Sequence, residues 1–473
     1  MIIGRKPEIA TLKSLLDSDK PELLALYGRR RVGKTFLIQE YCKDNLVFQC
    51  SGQYKGNTTQ QLMNFVRQMD RYFPDRNDQT IPAGWDDAFI QLQSSLDQLT
   101  DNQKKVAFID EMPWLDTHKS GFLSAFSYFW NNYATTRKDL VVVVCGSAAT
   151  WIIEKVLGDK GGLHNRVTST MRLMPFTVAE TGSYLAKRNI NLEHYQLLQL
   201  YMAIGGIPHY LNSVQKGLSV PQNINQMCFT RDGALTREFD NLYAALFNNA
   251  DRHISIIRAL STKNRGLTRT DLLTLAKLDS GGGSSEILKE LEESGFILKV
   301  SPFGNQEKNP LYRLTDEFSL FYLRFMEHAA AGSSNYWLSI LNTPPYNTWG
   351  GYAFESLCLK EADAIKSAMQ IAGINSRVLS WTGSFDGKGA QIDMLIDRAD
   401  GVINICEMKF YNDPYTITKT YAEQLKQKLS VFRSATGTKK TCWLTFITTY
   451  GVVQNTYYQS LVENDLKMEI FFE

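Results

Sequence analysis

The sequence has no long uninterrupted apolar run. Its longest uncharged apolar stretch, residues 140–153, is broken by Gly146, Ser147 and Thr150. It also falls short of the roughly 20 residues that a membrane-spanning helix needs, so we expect no membrane span. The first residues, MIIGRKPE, place charges where a signal peptide needs an apolar core, which argues against export.

Cysteine is scarce and follows no metal-binding spacing. The seven cysteines form no CxxC pair and are odd in number. This pattern argues against a disulfide framework or a zinc site and favours buried, reduced thiols. We therefore expect a reducing, cytoplasmic setting.

An excess of charge of one sign is also missing. Lys and Arg number 51 against 49 for Asp and Glu, which gives a net charge of +2. This excludes a global attraction to polyanions, so any nucleic-acid surface must be local. The composition, 44% hydrophobic and 21% charged, is that of a folded globular protein, and 473 residues suffice for about three domains.

The first 175 residues or so alternate short β-branched or aromatic runs with helical patterns, the rhythm of a parallel sheet covered by helices. The predicted strands are residues 23–27, 46–50, 106–109 and 141–145. Residues 178–249 are mostly helical, with a break at Gly205-Gly206. This region predicts a helical lid.

The second half predicts two further units. Three short helices followed by two strands around a polar loop indicate a winged helix: residues 253–260, 269–276, 284–291, 296–300 and 311–314, with the loop at 304–309. The final segment, from about residue 349, opens with a helix and continues through strands 391–397 and 402–410 to a helix near residue 416. It predicts a second α/β unit.

A glycine-rich motif follows the first predicted strand. Residues 28–35 read GRRRVGKT, the GxxxxGK[ST] pattern between a strand and a helix. The glycines let backbone N–H groups point at phosphate oxygens, Lys34 reaches the β and γ phosphates, and the Thr35 hydroxyl ligates magnesium. The predicted nucleotide-binding residues here are Gly28, Arg29, Arg30, Arg31, Val32, Gly33, Lys34, Thr35 and Phe36.

An acidic pair ends the third predicted strand. Asp110 would hold the magnesium ion through water, and Glu111 would orient and deprotonate the attacking water. Acidic residues after a strand are also common at helix N-termini. The pairing with the phosphate-binding motif favours the hydrolytic role.

Two further residues are open to two interpretations. Ser147, after the fourth strand, could sense the γ phosphate or could cap the helix predicted over residues 148–156. Arg166 precedes the run MRLMPF and is a candidate arginine finger facing a neighbouring subunit. A plain surface arginine is the alternative.

These motifs together resemble archaeal-type ATPases of the AAA-like, signal-transducing P-loop class. The resemblance rests on GRxxE from Gly4, the GRRRVGKT loop, FIDE, CGSA, HNR before LMPF, and GGIPHYL from Gly205, and it covers about the first 330 residues. It implies ATP and Mg²⁺ as cofactors, and it places Gly4, Arg5 and Pro208 near the nucleotide. A plain turn at Gly4-Arg5 and a helix stop at Pro208 remain alternatives.

Residues 391–410 predict a β-hairpin whose register can be argued. With a three-residue loop at 399–401 and Gly401 left-handed, Asp393 lies opposite Glu407, and Lys409 shares their face. A two-residue turn would separate the two carboxylates. The alternation of apolar residues supports the three-residue loop.

Two adjacent carboxylates repel unless a divalent cation lies between them, which suits oxygen ligation of magnesium. Lys409 could orient a water or stabilise a phosphodiester during its cleavage. The pattern, with Glu355 on the preceding helix and Tyr421 and Gln424 on the following one, resembles the restriction-endonuclease-like PD-(D/E)xK fold over about residues 349–450. The usual proline before the aspartate is Ile392 here.

A surface salt bridge between Glu407 and Lys409 is the structural alternative. Residues 416–440 carry six basic residues against one acid, which is either a phosphate-seeking surface or a solvated helix face. The third helix of the predicted winged helix is acidic, with four glutamates and one lysine over residues 286–293. It therefore suits protein contacts better than DNA.

The sequence as a whole predicts an α/β protein in four parts: a P-loop ATPase core with a parallel sheet (1–177), a helical lid (178–249), a winged helix (250–332) and a restriction-endonuclease-like α/β domain (333–473). We expect Mg-ATP hydrolysis coupled to a nuclease-like domain acting on DNA. The alternative is a non-cleaving ATP-dependent switch whose C-terminal domain binds a partner. A homo-oligomer is left open.

Overall fold

The computed structural model describes residues 1–101, 103–159, 161–247, 249–263, 265–304, 309–329 and 335–473. Within them the chain forms two compact units, Met1–Pro175 and Phe176–Glu473.

The first unit is an α/β fold. Its helices are α1 (Lys6–Leu16), α2 (Lys34–Tyr41), α3 (Thr58–Tyr72), α4 (Trp85–Asp97), α5 (Met112–Leu115), α6 (Phe122–Asn132) and α7 (Ala149–Ile152). Its strands are β1 (Glu22–Tyr27), β2 (Leu46–Ser51), β3 (Lys105–Asp110), β4 (Leu140–Gly146) and β5 (Ser169–Arg172). The strands form one parallel sheet in the order β2-β3-β4-β1-β5.

Every residue of β1, β3 and β4 is buried, because helices cover both faces of a parallel sheet and its central strands read as continuous apolar runs. The four predicted strands are confirmed to within one residue at each end. The edge strand β5 was not predicted, because its sequence STMR is polar and half-exposed.

The second unit carries the remaining elements. Its helices are α8 (Val178–Lys187), α9 (His194–Ile204), α10 (Pro208–Leu211), α11 (Val220–Cys228), α12 (Glu238–Leu246), α13 (Ala250–Ser261), α14 (Arg269–Leu275), α15 (Gly282–Glu293), α16 (Glu317–Phe321), α17 (Tyr336–Ser339), α18 (Pro344–Lys360), α19 (Ala362–Ala368), α20 (Lys419–Thr436) and α21 (Thr456–Leu461). Its strands are β6 (Ile297–Val300), β7 (Leu311–Leu314), β8 (Ser376–Phe385), β9 (Lys388–Arg398), β10 (Val402–Lys409), β11 (Thr441–Thr448) and β12 (Val462–Lys467).

The predicted helical break lies between α9 and α10. Gly205 adopts φ 66°, a left-handed conformation that favours glycine. At Gly206 an added Cβ would lie 2.0 Å from the Phe176 carbonyl oxygen, so only glycine allows this close approach. The two glycines therefore end one helix and start the next at a fixed angle.

Three helices, α13 to α15, precede the antiparallel pair β6–β7, as the sequence predicts. The pair runs from Ile297 opposite Leu314 to Val300 opposite Leu311. Of the predicted loop at 304–309, residues 305–308 lie outside the described part of the chain.

The C-terminal sheet has the order β12-β11-β10-β9-β8. Strands β8, β9 and β10 are antiparallel neighbours, whereas β10, β11 and β12 run parallel. Helix α20 packs on β8 and β9, and α18 packs on β10. The sequence predicted β9, β10 and the helix after them, but not β8, β11 or β12.

Two further features concern membrane-spanning helices and cysteines. Among the residues that the structure describes, no helix combines the length and apolarity required to cross a bilayer. All seven cysteines are buried free thiols.

Candidate functional site

The phosphate-binding motif forms the turn between β1 and α2. Its backbone is left-handed or strained at Gly28 (φ 145°), Arg31 (φ 70°) and Gly33 (φ 96°). A Cβ at Gly28 would lie 2.2 Å from the Leu173 carbonyl oxygen, so glycine is required there. Turns that alternate in this way direct successive N–H groups into one concavity, which suits a phosphate.

Lys34 is the first residue of α2 and is only 6% exposed. Its ammonium donates to the carbonyl oxygens of Gly28 (2.9 Å) and Arg29 (3.1 Å). These bonds hold the charge over the loop beside the helix N-terminus, where the dipole also favours an anion. The N-cap is Gly33, so its lack of a side chain leaves the first N–H groups accessible to a ligand.

Thr35, on α2, and Asp110, at the end of β3, meet at the carboxyl edge of the sheet. The Thr35 hydroxyl donates to one Asp110 oxygen at 2.6 Å, and the Glu111 N–H donates to the other at 2.9 Å. A hydroxyl beside a buried carboxylate is a suitable oxygen donor set for Mg²⁺. The residues present therefore fit a magnesium ion held by Thr35 and Asp110.

Glu111 and Ser147 are directly bonded. One Glu111 carboxylate oxygen accepts the Ser147 backbone N–H at 3.0 Å and its hydroxyl at 2.9 Å. Glu111 itself adopts a left-handed conformation (φ 46°), which is strained for a non-glycine residue. The helix-capping interpretation of Ser147 is wrong, because α7 begins at Ala149, two residues later, and its N-cap is Ala148.

The N-terminal segment touches the phosphate loop. Gly4 and Arg5 both have positive φ, 64° and 59°. The buried Arg5 guanidinium donates to the Val32 carbonyl oxygen at 3.2 Å and lies 3.5 Å from the Glu8 carboxylate. Proximity of this segment to the nucleotide base stays a prediction.

The other predicted nucleotide-site residues differ in exposure. Arg29 is buried, Arg30 and Arg31 are partly exposed, and Phe36 is 51% exposed. Arg166 is exposed in a turn after α7. Pro208 belongs to the second unit, where it is the first residue of α10.

The C-terminal hairpin has the predicted register. Residues 399–401 separate β9 from β10, Gly401 is left-handed (φ 86°), and the ladder pairs Asp397 with Ile403 through to Met394 with Cys406. It ends there, one step before Asp393 and Glu407. The β8–β9 ladder also shifts register nearby, between Leu379 and Trp381.

The Asp393 carboxylate pairs with an arginine from a different part of the unit. Its Oδ1 accepts from the Gln391 amide at 2.8 Å and from Arg313 Nη2 at 2.9 Å. Arg313 lies on β7 and is 5% exposed. The Asp393 side chain is 26% exposed.

Glu407 is surrounded by donors. Lys428 Nζ lies 2.7 Å from one carboxylate oxygen, and the other contacts Lys409 Nζ at 2.9 Å and the Tyr421 hydroxyl. Burial opposes ionisation, but Lys428 and Lys409 outweigh it and lower the pKa of Glu407 to about 2. Burial and this carboxylate raise the pKa of Tyr421 well above its ordinary value.

Glu355, on α18, is the third predicted carboxylate. Burial, followed by the nearby Asp393 carboxylate, raises its pKa to about 7. Arg313 and Lys409 act in the opposite direction. Glu355 therefore belongs to the same electrostatic cluster as Asp393 and Glu407.

The predicted metal ligands at the hairpin do not form a metal cage in this arrangement. Within the described parts of the chain, no group of three or more His, Cys, Asp or Glu residues is arranged to hold a metal ion. Asp393 is paired with Arg313, and Glu407 with two lysines. The residue types suit magnesium, but protein cations neutralise the carboxylates.

Sequence reasoning missed Arg313 and Gln391, and it counted Lys428 among the basic residues of 416–440 without identifying it as a partner of Glu407. Lys428 lies seven residues after Tyr421 and so on the same face of α20, a spacing that could have identified it. Gln391 lies two residues before Asp393 and on the same side of an ideal strand. Arg313 is 80 residues from Asp393, and no local pattern indicates that contact.

The comparisons with known proteins support nucleotide binding at the phosphate loop. Residues 3–214 match the family described as an ATPase domain predominantly from Archaea. An uncharacterized protein of Methanocaldococcus jannaschii is 25% identical over 333 residues, 69% of each chain. An uncharacterized ATP-binding protein of the same organism is 39% identical over 51 residues, 11% of this chain and 86% of that protein.

A structural likeness exists to the Walker-type ATPase of Pyrococcus abyssi, with a TM-score of 0.48, 17% identity, and coverage of 68% of this chain and 96% of that one. Residues 3–214 thus match an archaeal-type ATPase domain, and the parallel sheet and the phosphate-loop geometry support ATP binding by this part of the chain.

Proposed function

We propose that the chain hydrolyses Mg-ATP and uses the cycle to control its C-terminal domain. The observation that carries the hydrolytic part is the chain of hydrogen bonds that joins Thr35, Asp110, Glu111 and Ser147 beside the phosphate loop. Lys34 is held over the same loop by the Gly28 carbonyl oxygen. Magnesium, held by Thr35 and Asp110, would neutralise charge on the phosphate oxygens. Lys34 binds the β and γ phosphates.

In this proposal Glu111 orients and deprotonates the attacking water. Its carboxylate is bonded to Ser147 in the structure, so it must exchange that partner before it can accept a water proton. A γ-phosphate oxygen that accepts the Ser147 hydroxyl would release Glu111. Ser147 is thereby the phosphate-sensing residue.

Arg166 is the proposed arginine finger. It is exposed, as a residue that acts on the nucleotide of a neighbouring copy must be. Arg166→Ala should lower turnover without lowering ATP affinity if the finger acts on hydrolysis. Equal turnover in the variant and the parent would show a plain surface arginine.

Coupling to the C-terminal sheet is supported by contacts of the lid helix α9. The Tyr195 ring stacks on Phe410 at 5.1 Å and on Tyr450 at 5.6 Å, and His194 stacks on Phe472 at 3.9 Å. Phe410 directly follows Lys409. A displacement of α9 during the ATP cycle would therefore act on the strand that carries Glu407 and Lys409.

The C-terminal domain is proposed to be a metal-dependent, nuclease-like domain that acts on DNA. In support, helix α18, the antiparallel strands β8 to β10, helix α20 and the parallel strand β11 follow one another in the order of the PD-(D/E)xK fold. Lys419, Lys426 and Lys439 are exposed on and after α20, so they remain accessible to a phosphate backbone.

A non-cleaving switch is the second candidate. It is favoured by the burial of Glu407 (9% exposed) and by the ion pairs that both carboxylates make with protein cations. In addition, the acidic helix α15 bonds within the protein through Glu290 to His253 at 2.6 Å. Such a domain would bind a partner without cutting it.

Phosphate release and DNA cleavage, measured on the same full-length preparation, test the two candidates. Linear, plasmid and single-stranded DNA are incubated with ATP and with Mg²⁺ or Mn²⁺. Cleavage that Lys409→Ala abolishes supports the nuclease. ATP hydrolysis with all three DNAs intact supports the switch, and no hydrolysis defeats both.

A further inference from the structure

Asp393 is bonded by a cation that the sequence places in another predicted domain. Arg313 Nη2 lies 2.9 Å from Asp393 Oδ1, and Arg313 is only 5% exposed. A buried guanidinium is costly unless an anion pairs with it. The contact is therefore a specific bond between β7 and the carboxylate hairpin.

Several weaker contacts hold the β6–β7 hairpin against the edge of the C-terminal sheet. The Phe303 N–H donates to the Ser380 carbonyl at 2.8 Å, and the Ser380 N–H donates to the Ser301 carbonyl at 3.1 Å. The Phe303 ring packs on Phe432 at 5.3 Å. Ser380 lies on β8 where the β8–β9 register shifts, so this attachment lies beside the strand that carries Asp393.

We propose that Arg313 acts as a built-in substitute for the metal ion, so that the carboxylate hairpin binds a divalent cation only after the β6–β7 hairpin moves away. This inference rests on the proposed nuclease-like function and concerns its regulation. The Arg313 guanidinium uses an Asp393 oxygen that a metal would need, and its charge repels a divalent cation.

The same strand is connected to the lid. Strand β7 ends at Leu314 and α16 begins at Glu317, only three residues later. Helix α16 packs on α9, and its Phe318 ring lies 5.4 Å from Tyr210 of α10. A movement of α9 and α10 would therefore reach β7 through α16 and a short connection, and an ATP cycle could withdraw Arg313 in this way.

Manganese titration of the nucleotide-free full-length chain, followed by electron paramagnetic resonance of the free ion, tests the inference without an activity assay. Arg313→Ala should bind Mn²⁺ at least tenfold more tightly than the parent, and Asp393→Asn added to it should remove the gain. Lys299→Ala, which removes an exposed cation from the same hairpin, is the matched control and should bind as the parent does.

Each other outcome has a distinct meaning. Suppose that the parent and Arg313→Ala bind Mn²⁺ equally well, and that Asp393→Asn abolishes binding in both. This result overturns the blocking role of Arg313 but supports the metal site. No Asp393-dependent binding in either protein overturns the metal site and the inference with it. If Arg313→Ala does not fold, Phe303→Ala loosens the hairpin instead; it should raise Mn²⁺ affinity several-fold, and an unchanged affinity contradicts the inference.

Discussion

The two candidate sites contain similar residue types in different electrostatic states. At the nucleotide site, Lys34 bonds carbonyl oxygens and Asp110 bonds a hydroxyl and an amide. At the hairpin, Asp393 and Glu407 are both neutralised by protein cations. The first arrangement keeps a cation and a carboxylate available to a ligand, whereas the second satisfies its charges within the protein.

This difference indicates that a motif predicts residue types but not the state of a site. A ligand can enter the nucleotide site because Lys34 and Asp110 are bonded there to neutral partners, which a charged phosphate or a metal ion can replace without breaking an ion pair. Entry of a metal at the hairpin requires that ion pairs be broken first. We therefore expect substitutions at the first site to affect ligand chemistry and substitutions at the second to affect stability.

The largest expected effect is on turnover. Glu111→Gln keeps the shape of the side chain but removes the base, so ATP hydrolysis should fall by roughly 10² to 10⁴-fold, with ATP affinity little changed. Phosphate release under saturating ATP measures the loss, and calorimetry measures the affinity. Turnover equal to that of the parent would show that Glu111 is not the base.

Lys34→Ala should lower ATP affinity by about 100-fold, near 3 kcal/mol, since charge-assisted bonds to the phosphates are lost. Lys43→Ala, an exposed lysine just after α2, is the control and should leave the affinity unchanged. Isothermal titration compares the three proteins. Equal ATP affinity in all three proteins would show that Lys34 does not bind the phosphates, and the proposed difference between the two sites would be wrong.

Glu407→Gln tests whether the ionised Glu407 carboxylate stabilises the fold of the second unit. The pKa of Glu407 is lowered from 4.5 to about 2, so its ionised form stabilises the fold above pH 4.5, and that contribution is lost as the pH falls towards 2. The shift corresponds to about 3 kcal/mol at neutral pH. Urea unfolding of parent and variant should differ by this order at pH 7, and the difference should be clearly smaller at pH 3 and vanish only below about pH 2.

Glu423→Gln, on the exposed face of α20, is the control for charge and should unfold as the parent does at both pH values. A Glu407→Gln difference that is the same at pH 3 and pH 7 would contradict the role of ionised Glu407.

Arg5→Ala should have the smallest effect. It removes the bond to the Val32 carbonyl and the pairing with Glu8, which are worth about 1 kcal/mol together, so ATP affinity should fall about fivefold or less. Lys6→Ala, exposed on α1, is the control. A loss of 100-fold would instead show that Arg5 contacts the nucleotide itself.

The elements that sequence reasoning predicted well are those with strong local signals. Strands β1, β3 and β4 are continuous apolar runs, and the hairpin register followed from side-chain alternation and one glycine, Gly401. The Thr35–Asp110 pair was predictable as well, because the carboxyl ends of parallel strands meet at one edge of a sheet.

Other features lack a local signal. Strand β8 alternates irregularly because its register with β9 shifts, and β12 is polar and half-exposed. The bond from Arg313 to Asp393 depends on how two chain segments pack. Likewise, the Glu111–Ser147 bond depends on the backbone conformation at Glu111, which no residue pattern indicates.

The proposed coupling requires that ATP bound at the phosphate loop alters β7. Hydrogen exchange of the Glu111→Gln chain, with and without saturating Mg-ATP, tests it directly. We predict slower exchange over residues 28–37 and faster exchange over residues 311–315. Protection of the phosphate loop with no change at 311–315 would contradict the link, and no change at either segment would contradict the nucleotide site.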